Sequence, residues 1–249
     1  MELSKGRLAV YSSLGQVKMR RRHRLFSVEG EKAVTDTLES FSPEAIICAD
    51  EYHPSREMLH CDQIYQVSNP VMKRLSNLAT PSPVMGVFHL PEETECDYTE
   101  LSQPDGLYVA LDGVQDPGNM GTIIRTCHWF GIFDIFASRD TVDIFNPKTI
   151  QATMGSLGKV RVHYVDLKSL FESNQQLPVY GMLLDGKNMF ETSLERRGFI
   201  LLGNEGKGVS PNLRNCITHP LLIPPAGPDH SESLNVAVAG AITIAWFVR

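Results

Sequence analysis

From Leu107 onward, short apolar runs alternate with stretches of helical period, and that alternation limits the fold more than any other feature. Residues 107–111, 132–136, 161–165, 179–184, 199–202 and 220–223 read as strands, with helices between them and a last helix from about 234 to the end. Such an order implies a mostly parallel sheet with helices on both faces, an α/β fold.

The first hundred residues carry a second, smaller pattern. Residues 1–22 read as a helix, 24–28 as a strand, 30–38 as a helix, 45–48 as a buried strand, 70–78 as a short helix and 84–88 as a closing strand. Residues 91–97 are acidic and lack an apolar period, which reads as a linker. Two domains are expected, residues 1–98 and 105–249.

Charge is distributed unevenly. The net charge is −6 over 249 residues, which is unfavourable for a nucleic-acid binder. Yet the first 32 residues hold Lys5, Arg7, Lys18, Arg20, Arg21, Arg22, Arg24 and Lys32 against Glu2, Glu29 and Glu31. Location of charge matters more than its sum. Five cysteines form no CxxC pair, so reduced thiols are expected rather than disulfides or zinc. The histidines show no metal-ligand spacing, and no metal is expected. No apolar run approaches the ~20 residues of a membrane span, and the N-terminus has no secretory core. A cytoplasmic protein is expected.

Three segments carry candidate chemistry. The first, Asp116-Pro117-Gly118-Asn119-Met120-Gly121-Thr122-Ile123-Ile124-Arg125-Thr126, leaves the strand 107–111 and opens a helix. Its plain reading is a capped strand-to-helix turn. The second, Gly203-Asn204-Glu205-Gly206-Lys207-Gly208, is not a Walker loop, because Lys207 is followed by glycine, and lies too late for a dinucleotide fingerprint. Its glycines let the backbone approach a ligand, and Glu205 is placed to accept hydrogen bonds or to orient Arg125. The third, Ser233-Leu234-Asn235-Val236, opens the last helix with Ser233 as the expected N-cap. Asp229, His230 and Ser233 are too close in sequence for a hydrolytic triad, and no nucleophile elbow accompanies them.

In this order the three motifs resemble the SpoU/TrmH branch of the SPOUT RNA methyltransferases. The segment Asp143–Lys148 leading to Gly155-Ser156-Leu157-Gly158 supports the likeness. So do Leu25-Phe26-Ser27-Val28-Glu29-Gly30 and Pro83-Val84-Met85-Gly86-Val87, which are similar to the small domain often fused in front of this enzyme. The loop between Gly227 and Ser233 departs from the family by its length.

The resemblance implies a trefoil-knotted catalytic domain, a homodimer, and methyl transfer from S-adenosylmethionine to a ribose 2′-hydroxyl of RNA, with rRNA favoured over tRNA. It implies catalytic roles for Arg125, Asn119, Glu205, Ser233 and Asn235, and cofactor contacts from Leu202, Gly203, Gly208, Ile223 and Leu234. A guanidinium stays protonated and is a poor base. Arg125 is better suited to grip phosphate and hydroxyl and to stabilise a developing alkoxide. Base methylation on the same fold, or a non-catalytic RNA-binding role, are the alternatives. Lys18, Arg20, Arg21, Arg22 and Arg24 form the expected RNA-docking cluster.

Overall fold

The structure is a computed structural model that describes residues 2–92, 101, 106–227, 229 and 231–249. The expected linker and domain boundary fall largely outside these residues. By its contacts the chain divides into two units, Met1–Thr94 with Asp143–Gly158, and Glu95–Val142 with Lys159–Arg249. A single cut near residue 100 therefore misses one thing: a segment from the middle of the C-terminal half belongs to the N-terminal unit.

The N-terminal elements are α1 (Lys5–Ser12), α2 (Val17–His23), β1 (Leu25–Glu29), α3 (Glu31–Leu38), β2 (Pro43–Ala49), β3 (Ile64–Val67), α4 (Asn69–Leu75) and β4 (Val84–His89). The strands form one sheet in the order β1-β4-β2-β3, with β2 and β3 parallel and the other pairs antiparallel. Alternate residues along each strand point to opposite faces. Leu25, Ala45, Ile47, Met85 and Val87 pack with Tyr11, Leu14, Met72 and Leu75 on one face. On the other, Phe26, Val28, Ile46, Cys48, Val84 and Phe88 pack with Val34, Ile150 and Leu157.

The remaining elements are β5 (Leu107–Leu111), α5 (Pro117–Trp129), β6 (Asp134–Ala137), α6 (Pro147–Thr153), β7 (Arg161–Tyr164), α7 (Leu167–Ser173), β8 (Val179–Asn188), β9 (Gly198–Leu202), α8 (Pro211–Arg214), β10 (His219–Leu222) and α9 (Val236–Val248). Helix α6 lies in the segment that belongs to the N-terminal unit. Its neighbour Phe145 packs on Phe26 with ring centroids 4.6 Å apart and the rings tilted by 45°, and Ile150 and Leu157 are buried there. This segment shares the cover of that face of the N-terminal sheet with α3.

The C-terminal unit has one sheet in the order β10-β8-β9-β5-β6-β7, and every pairing is parallel. Tyr108, Ala110, Phe136, Phe199 and Leu201 pack with Leu170, Phe171 and Leu213 of α7 and α8. Leu202 points the other way, against Gly240 of α9, and α9 packs on α5. Parallel strands covered on both faces are what the apolar runs implied. Among the described residues no helix is long and apolar enough to cross a membrane.

Four expectations need correction. The N-terminal helix is two helices. Arg20, expected on the docking surface, is only 2% exposed. Its Nη1 donates to the carbonyls of Leu14 and Gly15, both at 2.9 Å, which the break between α1 and α2 leaves without helical partners. Its Nε and Nη2 donate to one oxygen of Asp143 at 3.1 and 2.6 Å. Arg20 thus clamps the inserted segment onto the N-terminal unit and has no donor edge for RNA. Arg24 is likewise engaged, donating to the Pro91 carbonyl from a left-handed C-cap position. Strand β3 is absent from the sequence reading. Finally, among the described residues no helix connects β8 and β9; turns do so.

Removing one member of a buried ion pair leaves the other uncompensated, at a cost of about 3–5 kcal/mol. Arg20→Ala is expected to lower unfolding free energy on that scale in chemical denaturation. Arg21→Ala, on the exposed side of the same helix, should stay within about 0.5 kcal/mol.

Candidate active site

In an open parallel sheet, ligands bind at the carboxyl ends of two adjacent strands whose following connections run in opposite directions. Strand β5 continues to β6 on one side; β9 leads to β10 on the other, beyond β8. The C-terminal ends of β5 and β9 are neighbours, with Leu111 opposite Leu202. The first two motifs begin there, and the third follows the end of β10. A hollow of about 290 Å³ is lined by Leu107, Phe133, Asp134, Arg161 and Arg196. It lies at the opposite, N-terminal ends of the strands, where Asp134 is already paired with Arg161 and His163. The topology outweighs its size, and the site is placed at the motif end.

Helix α5 begins as its sequence dictates. Asp116 is the N-cap and accepts from the Asn119 N–H at 2.8 Å, with Pro117 in the first turn, where its missing N–H costs nothing. The last helix is capped by Asn235, two residues later than the expected Ser233. Its Oδ1 accepts from the N–H groups of Ala237 and Val238 at 2.9 and 3.2 Å. Ser233 caps nothing; its carbonyl accepts from the Ser231 hydroxyl.

These caps are joined through one side chain. Because the Asn235 oxygen is used by its helix, its Nδ2 donates, and it does so to Asn119 Oδ1 at 2.9 Å. That fixes the Asn119 amide, whose Nδ2 then donates to Glu205 Oε1 at 3.0 Å. Glu205 also accepts, at longer range, from the N–H groups of Gln115 and Asp116. Burial pushes the Glu205 carboxyl up, but the Asn119 amide and these backbone donors outweigh it and hold the carboxyl below its ordinary range. The three motifs are thus one hydrogen-bonded chain, Asn235 to Asn119 to Glu205.

Arg125 stands apart. It is exposed and has no side-chain hydrogen bond or ion pair among the described residues. The expected orientation of Arg125 by Glu205 is therefore not present; Glu205 orients Asn119 and the front of α5 instead. The expected cofactor residues cluster by element. Leu202 ends β9, Gly203 and Gly208 bracket the Glu205 turn, Ile223 follows β10, and Leu234 stands exposed before α9. A Cβ on Gly203 would lie 2.4 Å from the Gly208 carbonyl carbon, so this closure requires glycine. Pro228 and His230 lie outside the described residues, so the long loop's geometry is left open.

Asn204 is a site residue the sequence reading passed over. Its backbone pairs with Gly208 in both directions, its Oδ1 accepts from the N–H groups of Gly206 and Lys207, and its Nδ2 donates to the Gly113 carbonyl at 2.6 Å. It shapes the turn that presents Glu205. The signal was an asparagine opening a glycine-rich turn, where side-chain-to-backbone bonding is common.

Asn119→Asp keeps the shape but sets two carboxylates against each other. It is expected to raise the Glu205 carboxyl midpoint, which in the parent lies below the ordinary ~4.3. A depressed folded-state value means the link stabilises the fold above the ordinary carboxyl range and is lost as pH falls through the folded-state value. Carboxyl carbon NMR titration measures both; an unchanged midpoint in Asn119→Asp would contradict the chain of bonds.

Comparisons with known proteins agree with this geometry. Residues 106–245 match the SpoU rRNA Methylase family, and residues 10–86 match an MRM3-like substrate binding domain. The chain is 31% identical over 238 residues to the 23S rRNA (guanosine(2553)-2′-O)-methyltransferase RlmP of Bacillus subtilis, covering 94% of this chain and 92% of that one. The mitochondrial rRNA methyltransferase 3 of Homo sapiens is 27% identical over 52% of this chain, which spans 32% of that longer protein. A Porphyromonas gingivalis protein assigned to the TrmH family of RNA methyltransferases superposes with a TM-score of 0.84 at 35% identity, covering 99% and 98% of the two chains. An AdoMet-bound rRNA methyltransferase from Sinorhizobium meliloti gives 0.84 at 26% identity, covering 99% and 95%. With more than half its length matched and its three motifs joined at one switch point, the chain belongs to the SpoU rRNA methylase family.

Proposed function

We propose that the chain methylates a ribose 2′-hydroxyl of ribosomal RNA with S-adenosylmethionine, using the site at the ends of β5, β9 and β10. Family membership carries the reaction class. The observation that carries the site is the bonded chain from Asn235 through Asn119 to Glu205, beside an uncommitted Arg125. An intact network of this kind favours catalysis over a purely RNA-binding role.

The residues fit the cofactor. The Gly203 and Gly208 backbone is closed into a tight turn, and the apolar side chains of Ile223 and exposed Leu234 offer contact for a flat base. When bound, S-adenosylmethionine supplies an electrophilic methyl group. Leu202, Gly203, Gly208, Ile223 and Leu234 would hold it, largely through backbone groups.

The protein's part is placement. Good orientation of two reacting atoms supplies roughly 7–11 kcal/mol of barrier reduction. Glu205 and Asn119 fix the start of α5, and Arg125 projects from the next turns of that helix. Its fork has free donors to hold a phosphate and the reacting hydroxyl, and its charge stabilises the negative charge that develops on that oxygen. Ser233 stands exposed ahead of the Asn235 cap and is assigned to substrate contact.

Docking falls to Lys18, Arg21 and Arg22, which are exposed on α2. Arg20 and Arg24 support that helix rather than touch RNA. A homodimer is part of this reading. Trp129 at the end of α5 is 83% exposed and Val238 on α9 48%, large apolar surfaces for a lone chain. A knotted course of the last strands and a cytoplasmic setting complete it.

Two results test the reading. Arg125→Ala is expected to abolish methylation while S-adenosylmethionine affinity by calorimetry and the fold stay near normal; near-normal turnover would reject the role. Mass spectrometry of ribosomal and transfer RNA nucleosides, with and without the protein, should show one 2′-O-methyl nucleoside lost from rRNA. A lost base-methylated nucleoside instead would favour the alternative chemistry.

A further inference from the structure

Two exposed cations flank the site and take no part in the chain of bonds just described. Lys207 stands on the turn after β9, next but one to Glu205. Arg139 stands on the turn after β6. Both turns are fastened to the same stretch, residues 111–116, which leads into Asn119 and Arg125. On one side Asn204 donates to the Gly113 carbonyl, and Glu205 takes the N–H groups of Gln115 and Asp116. On the other, the Gly113 N–H donates to Ser138 Oγ at 2.8 Å, Thr141 Oγ1 donates to the Leu111 carbonyl, and the Val142 N–H donates to the Val114 carbonyl at 2.9 Å.

Gly113 is the pinch point. Its φ is +67°, a left-handed conformation that suits glycine. A Cβ there would lie 3.2 Å from Asp140 Oδ2, a tight approach, and 3.8 Å from Asn204 Cβ, an ordinary contact, so side chains of both turns flank it. The backbone carrying Lys207 and Arg139 is therefore fixed relative to the start of α5, while their side chains are exposed.

The local acids are committed elsewhere. Glu205 is bonded to Asn119, and Asp140 accepts from Ser138 at 2.6 Å. Asp112 accepts from the Ser210 N–H. Asp166 caps α7; the Ser169 N–H chiefly holds its carboxyl low, and the charge of Arg139 adds to this. Among the described residues neither Lys207 nor Arg139 makes an ion pair or a side-chain hydrogen bond. In a chain of net charge −6, a lysine and an arginine with no direct acid partner at the rim of an RNA site suit an anionic ligand.

We propose that Lys207 and Arg139 are phosphate contacts of the catalytic unit, gripping the RNA backbone on the two sides of the nucleotide that Arg125 engages. This rests on the RNA-methyltransferase reading and extends it. A side chain that only contacts phosphate adds affinity without sequence preference, and it steepens the salt dependence.

The test compares the full chain with Lys207→Ala, Arg139→Ala and the double variant. The probes are in vitro transcribed 23S rRNA and polyuridylate, the latter a backbone without the target. Each single replacement should weaken both RNAs about tenfold and lower the log–log salt slope by roughly 0.7. The loss should fall on KM for RNA, with S-adenosylmethionine affinity unmoved. Lys207→Arg and Arg139→Lys should restore the slope. Unchanged affinity and slope would overturn the proposal. So would a parallel loss of S-adenosylmethionine affinity, which would assign the cations to the cofactor's carboxylate. A parent chain that binds neither RNA would instead sink the underlying reading, and with it this proposal.

Discussion

The Asn119 amide has one accepting and one donating edge, and both are committed. Asn235 must donate, because its oxygen caps α9; Glu205 must accept, because its carboxyl is ionised. Only an amide satisfies both neighbours at once. Aspartate would repel Glu205, and a hydroxyl is too short to reach both. Three loops far apart in sequence are held in register by this one side chain. The positions of Arg125 on α5, of the turn after β9, and of the start of α9 all follow from it.

The fold was legible where local physics decides it. Six apolar runs gave the strands of a parallel sheet, and the three motifs fell at strand ends because such a sheet gathers its loops there. Less legible was whatever depends on distant partners. Residues 143–158 carry ordinary helix and turn signals; that they belong to the N-terminal unit and help cover its sheet rests on packing with Phe26, Val28 and Val34. Arg20 sits in a basic run, and nothing local tells it from Arg21. Its burial is set by Asp143, more than a hundred residues away. The missing helix between β8 and β9 reflects a habit of α/β chains applied where turns suffice.

Within the site, residue identity was easier to read than residue role. Asn119, Glu205 and Asn235 were all picked out, but Glu205 was read as accepting hydrogen bonds or orienting Arg125, with Asn119 not named as its partner, and the cap was assigned to Ser233. Serine and asparagine are both good caps, so sequence alone could not choose between positions 233 and 235. The structure chooses Asn235 because the side chain that caps must also reach Asn119. A serine has no second donor edge for that task. Asn204 was passed over for a related reason: its value lies in five bonds to its own turn and to Gly113, none visible from spacing.

The acidity of the chain bears on how an RNA enzyme of this kind works. A surface that is positive throughout would bind RNA tightly anywhere along it. Exposed positive groups are spread over the surface, among them Lys5, Lys73, Lys148 and Lys187, but those on the turns clamped to residues 111–116 are carried by backbone whose geometry is fixed beside the site. The acids near the site are occupied as acceptors of specific hydrogen bonds, so they add order to the loops while leaving the cations unpaired. Net repulsion weakens binding in most poses, and attraction survives where phosphates meet several fixed cations together. Selectivity then comes partly from what the surface refuses, the same logic by which mismatched charges exclude wrong partners in other interfaces.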